Sequence, residues 1–113
     1  MALPIVRVSV MRCEASQFLD FTHLMTESEQ VLAEGVRAMR GCKFYFAGAD
    51  EATLSLSNVS VWDTLADARQ MESFQPMLDL GKRFNDLGAR FERPIMNYAT
   101  LWQIGDMPGD ATG

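Results

Sequence analysis

The sequence has few of the residues that build metal centres and disulfide frameworks. It holds two cysteines, Cys13 and Cys42, which are too few for a disulfide framework and lack the C-x-x-C spacing of a metal or redox site. We expect both to be reduced and to act as small apolar side chains. His23 is the only histidine, and it lies opposite the apolar stripe of a predicted helix, where it faces water. The sequence therefore predicts no metal site.

Positive charge and long apolar runs are also scarce. Ten Lys and Arg against fifteen Asp and Glu give a formal net charge of −5, whereas nucleic-acid binding draws on clustered positive charge. No apolar run approaches the roughly 18 residues of a membrane span, and residues 1–4 lack the charged leader of a signal peptide. We expect a cytoplasmic protein that binds neither nucleic acid nor membrane.

The apolar residues that are present, 48% of the chain, follow the periods of strands and helices. The patterns predict strands at 4–13, 42–47, 53–62 and 95–104, and helices at 16–40, 63–74 and 77–91. A capping signal at 26–29 allows a break in the first helix, and Gly41 ends it. Residues 48–52 form a hairpin turn, Asp63 caps the second helix, and Pro76 divides it into two pieces.

This order, β-α-β-β-α-β, is typical of an α+β ferredoxin-like sandwich with a four-stranded antiparallel sheet. We expect one domain over residues 1–104 and a flexible tail over 105–113. In the first and last strands, the residues that point to either face of the sheet are rich in apolar side chains. A sheet with helices on one side should instead be polar on the other side. A second copy covering the open face explains this, so we expect a homodimer.

The strand at 53–62 holds a polar pairing placed for chemistry on a small molecule. Residues two apart share a face of a strand, so Asn58 and Trp62 point the same way, with Leu54, Leu56 and Ser60. An amide and an indole can both donate to a substrate oxygen. The alternative is purely structural: the indole caps a core and the amide satisfies a backbone group.

At this point the sequence resembles the antibiotic biosynthesis monooxygenase family of dimeric α+β barrels. The resemblance rests on the helix closed by Gly41-Cys42, the strand end Val-Ser-Val-Trp62 before an acidic-capped helix, and the break Glu-Ser-Phe-Gln-Pro76. It covers the chain to about Ile104. Members of this family include cofactor-free oxygenases of aromatic polyketides, quinol oxidases, haem-degrading enzymes and isomerases.

The resemblance implies a cofactor-independent monooxygenase that oxidises an aromatic, quinol or polyketide-like molecule with O2 in a cavity between sheet and helices. Asn58 and Trp62 match the Asn and Trp spacing of the polyketide oxygenases and are the predicted catalytic residues. That branch carries tyrosines where this chain has Ala47 and Ala68. The predicted substrate contacts are Phe21, Met25, Met71, Phe74, Phe84 and Tyr98.

Two other functions stay open. One is a dimeric binding module without chemistry, and the other is an isomerase or lyase of a small keto compound. Haem degradation is disfavoured, because that branch needs a histidine on the second helix and an Asn on the first strand, where this chain has Arg7-Val-Ser9.

Overall fold

Within residues 3–106, which the computed structural model describes, four α-helices pack on one face of an antiparallel sheet. In chain order the elements are β1 (Ile5–Arg12), α1 (Phe18–Glu27), α2 (Glu29–Arg37), β2 (Cys42–Asp50), β3 (Ser55–Trp62), α3 (Leu65–Ala68), α4 (Gln75–Asp86), β4 (Arg90–Phe91) and β5 (Met96–Ala99). Short 3₁₀ turns precede α1 and follow α3. None of the helices within the described range is long and apolar enough to cross a bilayer. Residues 107–113 of the predicted tail lie outside the described residues.

The sheet confirms the predicted ferredoxin-like α+β sandwich. β1 lies in the middle, antiparallel to β3 on one side and to β4 and β5 on the other, and β2 pairs with β3 at the far edge. β4 and β5 pair with successive parts of β1, so together they take the place of the predicted fourth strand. The resulting order is that of the split βαβ motif.

The first predicted helix is two helices. Ser28, inside the predicted capping signal, separates α1 from α2, and its hydroxyl donates to the carbonyl of Met25. Leu32 and Val36 are the buried residues of α2. The chain then turns at Gly41, whose φ of 75° is unfavourable for residues with a side chain.

The hairpin between β2 and β3 is shifted from its predicted position. β2 continues past Ala47 to Asp50, because Gly48 and Ala49 remain paired with β3. The turn therefore occupies residues 51–54, and Leu54 adopts a left-handed φ of 52° outside the strand.

The cap of α3 is Thr64 and not Asp63. The Thr64 hydroxyl accepts a hydrogen bond of 3.0 Å from the backbone N–H of Asp67, whereas the N–H of Asp63 donates to the carbonyl of Gly41. Threonine is a favourable cap because its side-chain oxygen satisfies an N–H that the first helical turn leaves open. Pro76 lies in the first turn of α4, so the predicted division into two pieces is confirmed.

The chain after α4 differs most from the prediction. The helix predicted to reach Phe91 ends at Asp86, because Gly88 takes a left-handed φ of 103° and turns the chain back to the sheet. Phe91 then pairs with Met11 in β4. Helical spacing of the apolar residues up to Phe91 was thus misleading, since the last of them belong to a turn and a strand.

The last strand is shorter than the predicted 95–104. A cis peptide bond between Arg93 and Pro94 lies between β4 and β5, and β5 ends at Ala99, opposite Ile5 at the start of β1. Beyond that point the described chain offers no neighbouring strand. Three large apolar residues that follow are 86%, 74% and 90% exposed: Leu101, Trp102 and Ile104.

The core forms two clusters under the sheet. One surrounds Phe21, Leu56 and Phe84, and the other surrounds Trp62 and Met71. Both clusters lie between the sheet and the helices, so the helices cover one face of the sheet only.

The opposite face of the sheet, called here the open face, is apolar throughout its centre. The register of the strands places nine apolar side chains there: Val6, Val8, Val10, Phe44, Phe46, Val59, Val61, Met96 and Tyr98. Phe46, Met96 and Tyr98 are 43%, 46% and 55% exposed. A single subunit therefore leaves a large apolar surface uncovered.

Candidate small-molecule site

Polar side chains of three neighbouring strands meet on the covered face of the sheet. In the register, Arg7 lies opposite Ser60, Ser9 lies opposite Asn58, and Tyr45 pairs with Ser60 from the other side. Directly opposed residues of antiparallel strands share a face. These five residues, the polar cluster, therefore lie beneath the helices and not in open water.

Two cavities adjoin the polar cluster. The α4 cavity has a volume of about 840 Å³, lies between the sheet and α4, and is lined by all five members of the cluster. The α2 cavity has a volume of about 620 Å³ and lies between α2 and β2. Asn58 and Tyr45 line both cavities. Each volume falls within the roughly 300–1,000 Å³ of small-molecule pockets.

Asn58 and Tyr45 present buried polar atoms that have no protein partner. Within residues 3–106, neither Oδ1 of Asn58 nor the hydroxyl of Tyr45 has a hydrogen-bond partner, although both atoms are buried. Burial raises the pKa of Tyr45, and the positive charge of Arg7 opposes this only in part. Tyr45 is therefore a neutral phenol that can donate a hydrogen bond. Because unpaired buried polar atoms are costly, this pair indicates a place for a polar ligand.

Trp62 has a different environment from its predicted partner Asn58. It is fully buried, and its Nε1–H donates to the Ser60 hydroxyl at 2.8 Å. The indole donor predicted to face a substrate is therefore already engaged inside the protein. Trp62 fills the second core cluster and holds Ser60 in position.

Arg7 is, like Tyr45, a site residue that the sequence-based prediction did not include. It is 7% exposed, and its Nη1 donates to Oδ1 of Asn97 at 3.2 Å. Within residues 3–106 it forms no ion pair. Burial lowers the pKa of Arg7, with the charge of Glu72 acting in the opposite sense, but an arginine stays protonated. The available signal was the alternation of β1, in which Arg7 and Ser9 share a face while the valines occupy the other.

Basic residues dominate the charged lining of the α4 cavity. Arg7, Lys82, Arg90 and Arg93 line it, against the single carboxylate of Glu72. Lys82 and Arg90 form exposed ion pairs on the surface, and the Arg93 guanidinium lies 4.7 Å from the centre of a phenylalanine ring. Arg7 and Arg93 are thus the basic residues of the lining that have no ion pair within residues 3–106.

Three of the predicted substrate contacts line a cavity. Met71 and Phe84 line the α4 cavity, and Met25 lines both cavities. Their side chains provide flexible thioether and aromatic walls.

The other three predicted contacts lie away from the cavity linings. Phe21 packs edge to face against Phe84 in the core, with ring centres 5.4 Å apart. Phe74 lies between the two core clusters and against Gly35. Tyr98 lies on the open face, the far side of the sheet from the polar cluster. Within one subunit, none of these three lines either cavity.

Metal-binding side chains are not grouped in the part of the chain that the structure describes. No set of three or more His, Cys, Asp and Glu there is placed to hold a metal ion. His23 is exposed on α1, as predicted. Cys13 and Cys42 are free, and burial raises the pKa of both thiols, so both are neutral and weakly nucleophilic.

Comparison with known proteins relates this architecture to solved structures. No family model matches the chain, and no curated protein matches it. A structure named "putative antibiotic biosynthesis monooxygenase" from Deinococcus radiodurans matches with a TM-score of 0.69 and 15% identity, over 91% of this chain and 98% of that one. One of the same name from Nitrosomonas europaea matches with a TM-score of 0.66 and 12% identity, over 93% and 97%. A Mycobacterium tuberculosis protein matches with a TM-score of 0.65 and 12% identity, over 90% and 99%. The chain thus has the ferredoxin-like α+β fold that structures carrying the antibiotic biosynthesis monooxygenase name share.

Proposed function

We propose that this protein is a cofactor-independent monooxygenase that oxidises an aromatic or quinol-like small molecule with O2 in the α4 cavity. The observation that carries the proposal is the pair of buried, unpartnered polar atoms on Asn58 and Tyr45 beside apolar walls. The likeness in fold to structures named as monooxygenases supports the same reading.

Asn58 and Tyr45 would bind the oxygen atoms of the substrate. Oδ1 of Asn58 accepts a hydrogen bond from a phenolic hydroxyl, while the neutral Tyr45 hydroxyl donates to a phenolate or enolate oxygen. Donors fixed in advance stabilise negative charge that develops during reaction. Because the Trp62 N–H is engaged by Ser60, we assign Trp62 a positioning role and not a catalytic one.

The proposed reaction needs no protein-borne electron carrier. A phenolate with a free para carbon transfers an electron to O2, and the radical pair combines to form a carbon–oxygen bond and a peroxide. Loss of the ring proton and cleavage of the O–O bond then give a quinone and water. One oxygen atom enters the product, the other leaves as water, and the substrate supplies all four electrons that O2 accepts.

We propose further that two copies pair through the open face. The apolar side chains that remain exposed on that face, among them Phe46, Met96 and Tyr98, would be covered by the same face of a second subunit, as an isologous dimer requires. The exposed Trp102 and its apolar neighbours would extend this contact at the end of β5. Pairing on the open face would leave the polar cluster on the other side of the sheet.

A binding module without chemistry is the second candidate. The engaged indole of Trp62 favours it, since it removes one of the two donors predicted to stabilise an oxyanion. Oxygen consumption separates the two candidates.

The test is O2 uptake by chelator-treated, flavin-free protein with a panel of anthrones and of phenols that have a free para carbon. The rates are corrected for spontaneous oxidation. We expect uptake above that background, with one atom of ¹⁸O2 in the product. Asn58→Ala should lower the rate by about 100-fold, the loss typical of a misplaced substrate, because it removes the acceptor that orients the phenolic hydroxyl. Ser57→Ala, next to it on the opposite sheet face, should leave the rate unchanged.

No uptake with any member of the panel would favour the binding module. Turnover of a keto compound without oxygen would instead favour an isomerase or lyase. Equal loss of rate in the Asn58 and Ser57 variants would refute the role of the amide.

A further inference from the structure

We infer that the α4 cavity selects a ligand with an anionic carboxylate and that Arg7 is the residue that binds it. The inference rests on the proposed function in one respect: it narrows the substrate class of the proposed oxidation to aromatic hydroxy-carboxylates. The binding itself requires no oxidation.

The environment of Arg7 is the first support. Arg7 is buried, with 7% of the residue exposed, and the charge of Glu72 acts on it, yet it forms no ion pair within residues 3–106. Arg7 donates a hydrogen bond to the neutral amide of Asn97, and this bond uses one of the five N–H donors of the guanidinium. Because buried charges are normally paired, an arginine in a cavity wall that keeps N–H donors without a carboxylate in ion-pair contact is suited to bind an anionic ligand.

The other charged residues of the cavity wall also favour an anionic ligand. Three further basic residues line the α4 cavity, against one carboxylate: Lys82, Arg90 and Arg93 against Glu72. In the whole chain acidic residues outnumber basic ones by fifteen to ten. Lys82 and Arg90 are paired with Asp86 and Glu14 at the surface. Arg7 and Arg93 therefore supply the positive charge that exceeds the charge of Glu72 and would attract an anion to the cavity.

The register of the sheet sets the spacing of the ligand groups. Asn58 lies opposite Ser9, and Arg7 lies opposite Ser60, so Arg7 and Asn58 are diagonal neighbours on one face. Such neighbours lie roughly 7–8 Å apart. One aromatic ring with a carboxylate at one end and a hydroxyl at the other can reach both. The carboxylate then accepts from Arg7, and the hydroxyl donates to Oδ1 of Asn58.

The test compares two matched probes, 2,5-dihydroxybenzoate and 2,5-dihydroxybenzamide, by calorimetric titration without oxygen. The two differ in charge and hardly in shape. We expect the unaltered protein to bind the carboxylate at least about tenfold more tightly than the amide, the ratio that one charge-assisted hydrogen bond supplies. Arg7→Gln should abolish this preference while the amide binds as before. Arg83→Gln, a basic residue of α4 outside the cavity lining, should keep it.

Equal affinity of the unaltered protein for the two probes, or no binding of either, would overturn the inference. So would a preference that survives in Arg7→Gln. Near-ultraviolet circular dichroism tests whether Arg7→Gln keeps the native fold. If it does not, Arg7→Met, whose side chain has a similar length, is measured in its place. Tight carboxylate binding without oxygen uptake would refute the proposed oxidation and leave the anion site standing.

Discussion

Replacing Gly35 with alanine should destabilise the protein, although alanine is the better helix former. Gly35 lies in α2, and a Cβ atom built on it would lie 2.5 Å and 2.6 Å from Cζ and Cε1 of Phe74. The Phe74 ring packs against both core clusters, so it cannot move without disturbing them. Overpacking of this kind costs about 1–3 kcal/mol, whereas the gain in helix propensity is about 1 kcal/mol.

The expected net loss in the free energy of unfolding is about 1 kcal/mol, which lowers Tm by about 4 °C for a chain of this size. Gly81→Ala is the matched control, because Gly81 lies inside α4 and has no atom within 4 Å of its built Cβ. That variant should gain about 0.5–1 kcal/mol. Urea titration followed by circular dichroism measures both. Equal stabilisation of the two variants would show that Phe74 is not held between the clusters, and the packing argument would fail.

Three more predictions concern Trp62, Tyr45 and the open face. Trp62→Phe should cost roughly 1–3 kcal/mol in urea titration, because it empties part of a fully buried site and removes the indole hydrogen bond; unchanged stability with lost oxygen uptake would instead give the indole a role on the substrate. The raised pKa of Tyr45 in the folded state stabilises the protein below the unfolded pKa of about 10, and this contribution is lost as the pH rises above it. Tyr45→Phe should therefore flatten the fall in Tm above pH 10. Tyr98→Phe on the open face is the control and should keep that fall. Identical dependence of Tm on pH in the two variants would contradict the assignment. Phe46→Asp on the open face should halve the mass measured by light scattering, while Leu19→Asp, 67% exposed on α1, should not; equal masses for both would refute pairing through that face.

The fold could be predicted from the sequence because the patterns that indicate its strands and helices are local and periodic. The alternating valines of β1, the capping signal near Ser28 and the position of Pro76 each set one element, and the structure has all three. Prediction failed where a glycine conformation decided the path of the chain. Gly88 ends α4 early and sends Phe91 into β4, which helical spacing could not reveal.

The candidate site was predicted in part, because it depends on strand register. The sequence indicated Asn58 and its face of β3, but not which residues of β1 and β2 lie beside it. Arg7 entered the site only through its pairing with Ser60. The hydrogen bond that engages the Trp62 indole likewise depends on a rotamer that no spacing reveals.

The most direct measurement is a crystal structure of the protein grown with saturating 2,5-dihydroxybenzoate. We expect the ring in the α4 cavity, its carboxylate within hydrogen-bond distance of the Arg7 guanidinium and a hydroxyl on Oδ1 of Asn58. A ligand bound on the open face or on the surface, with the α4 cavity free of it, would contradict the assignment of this cavity as the functional site.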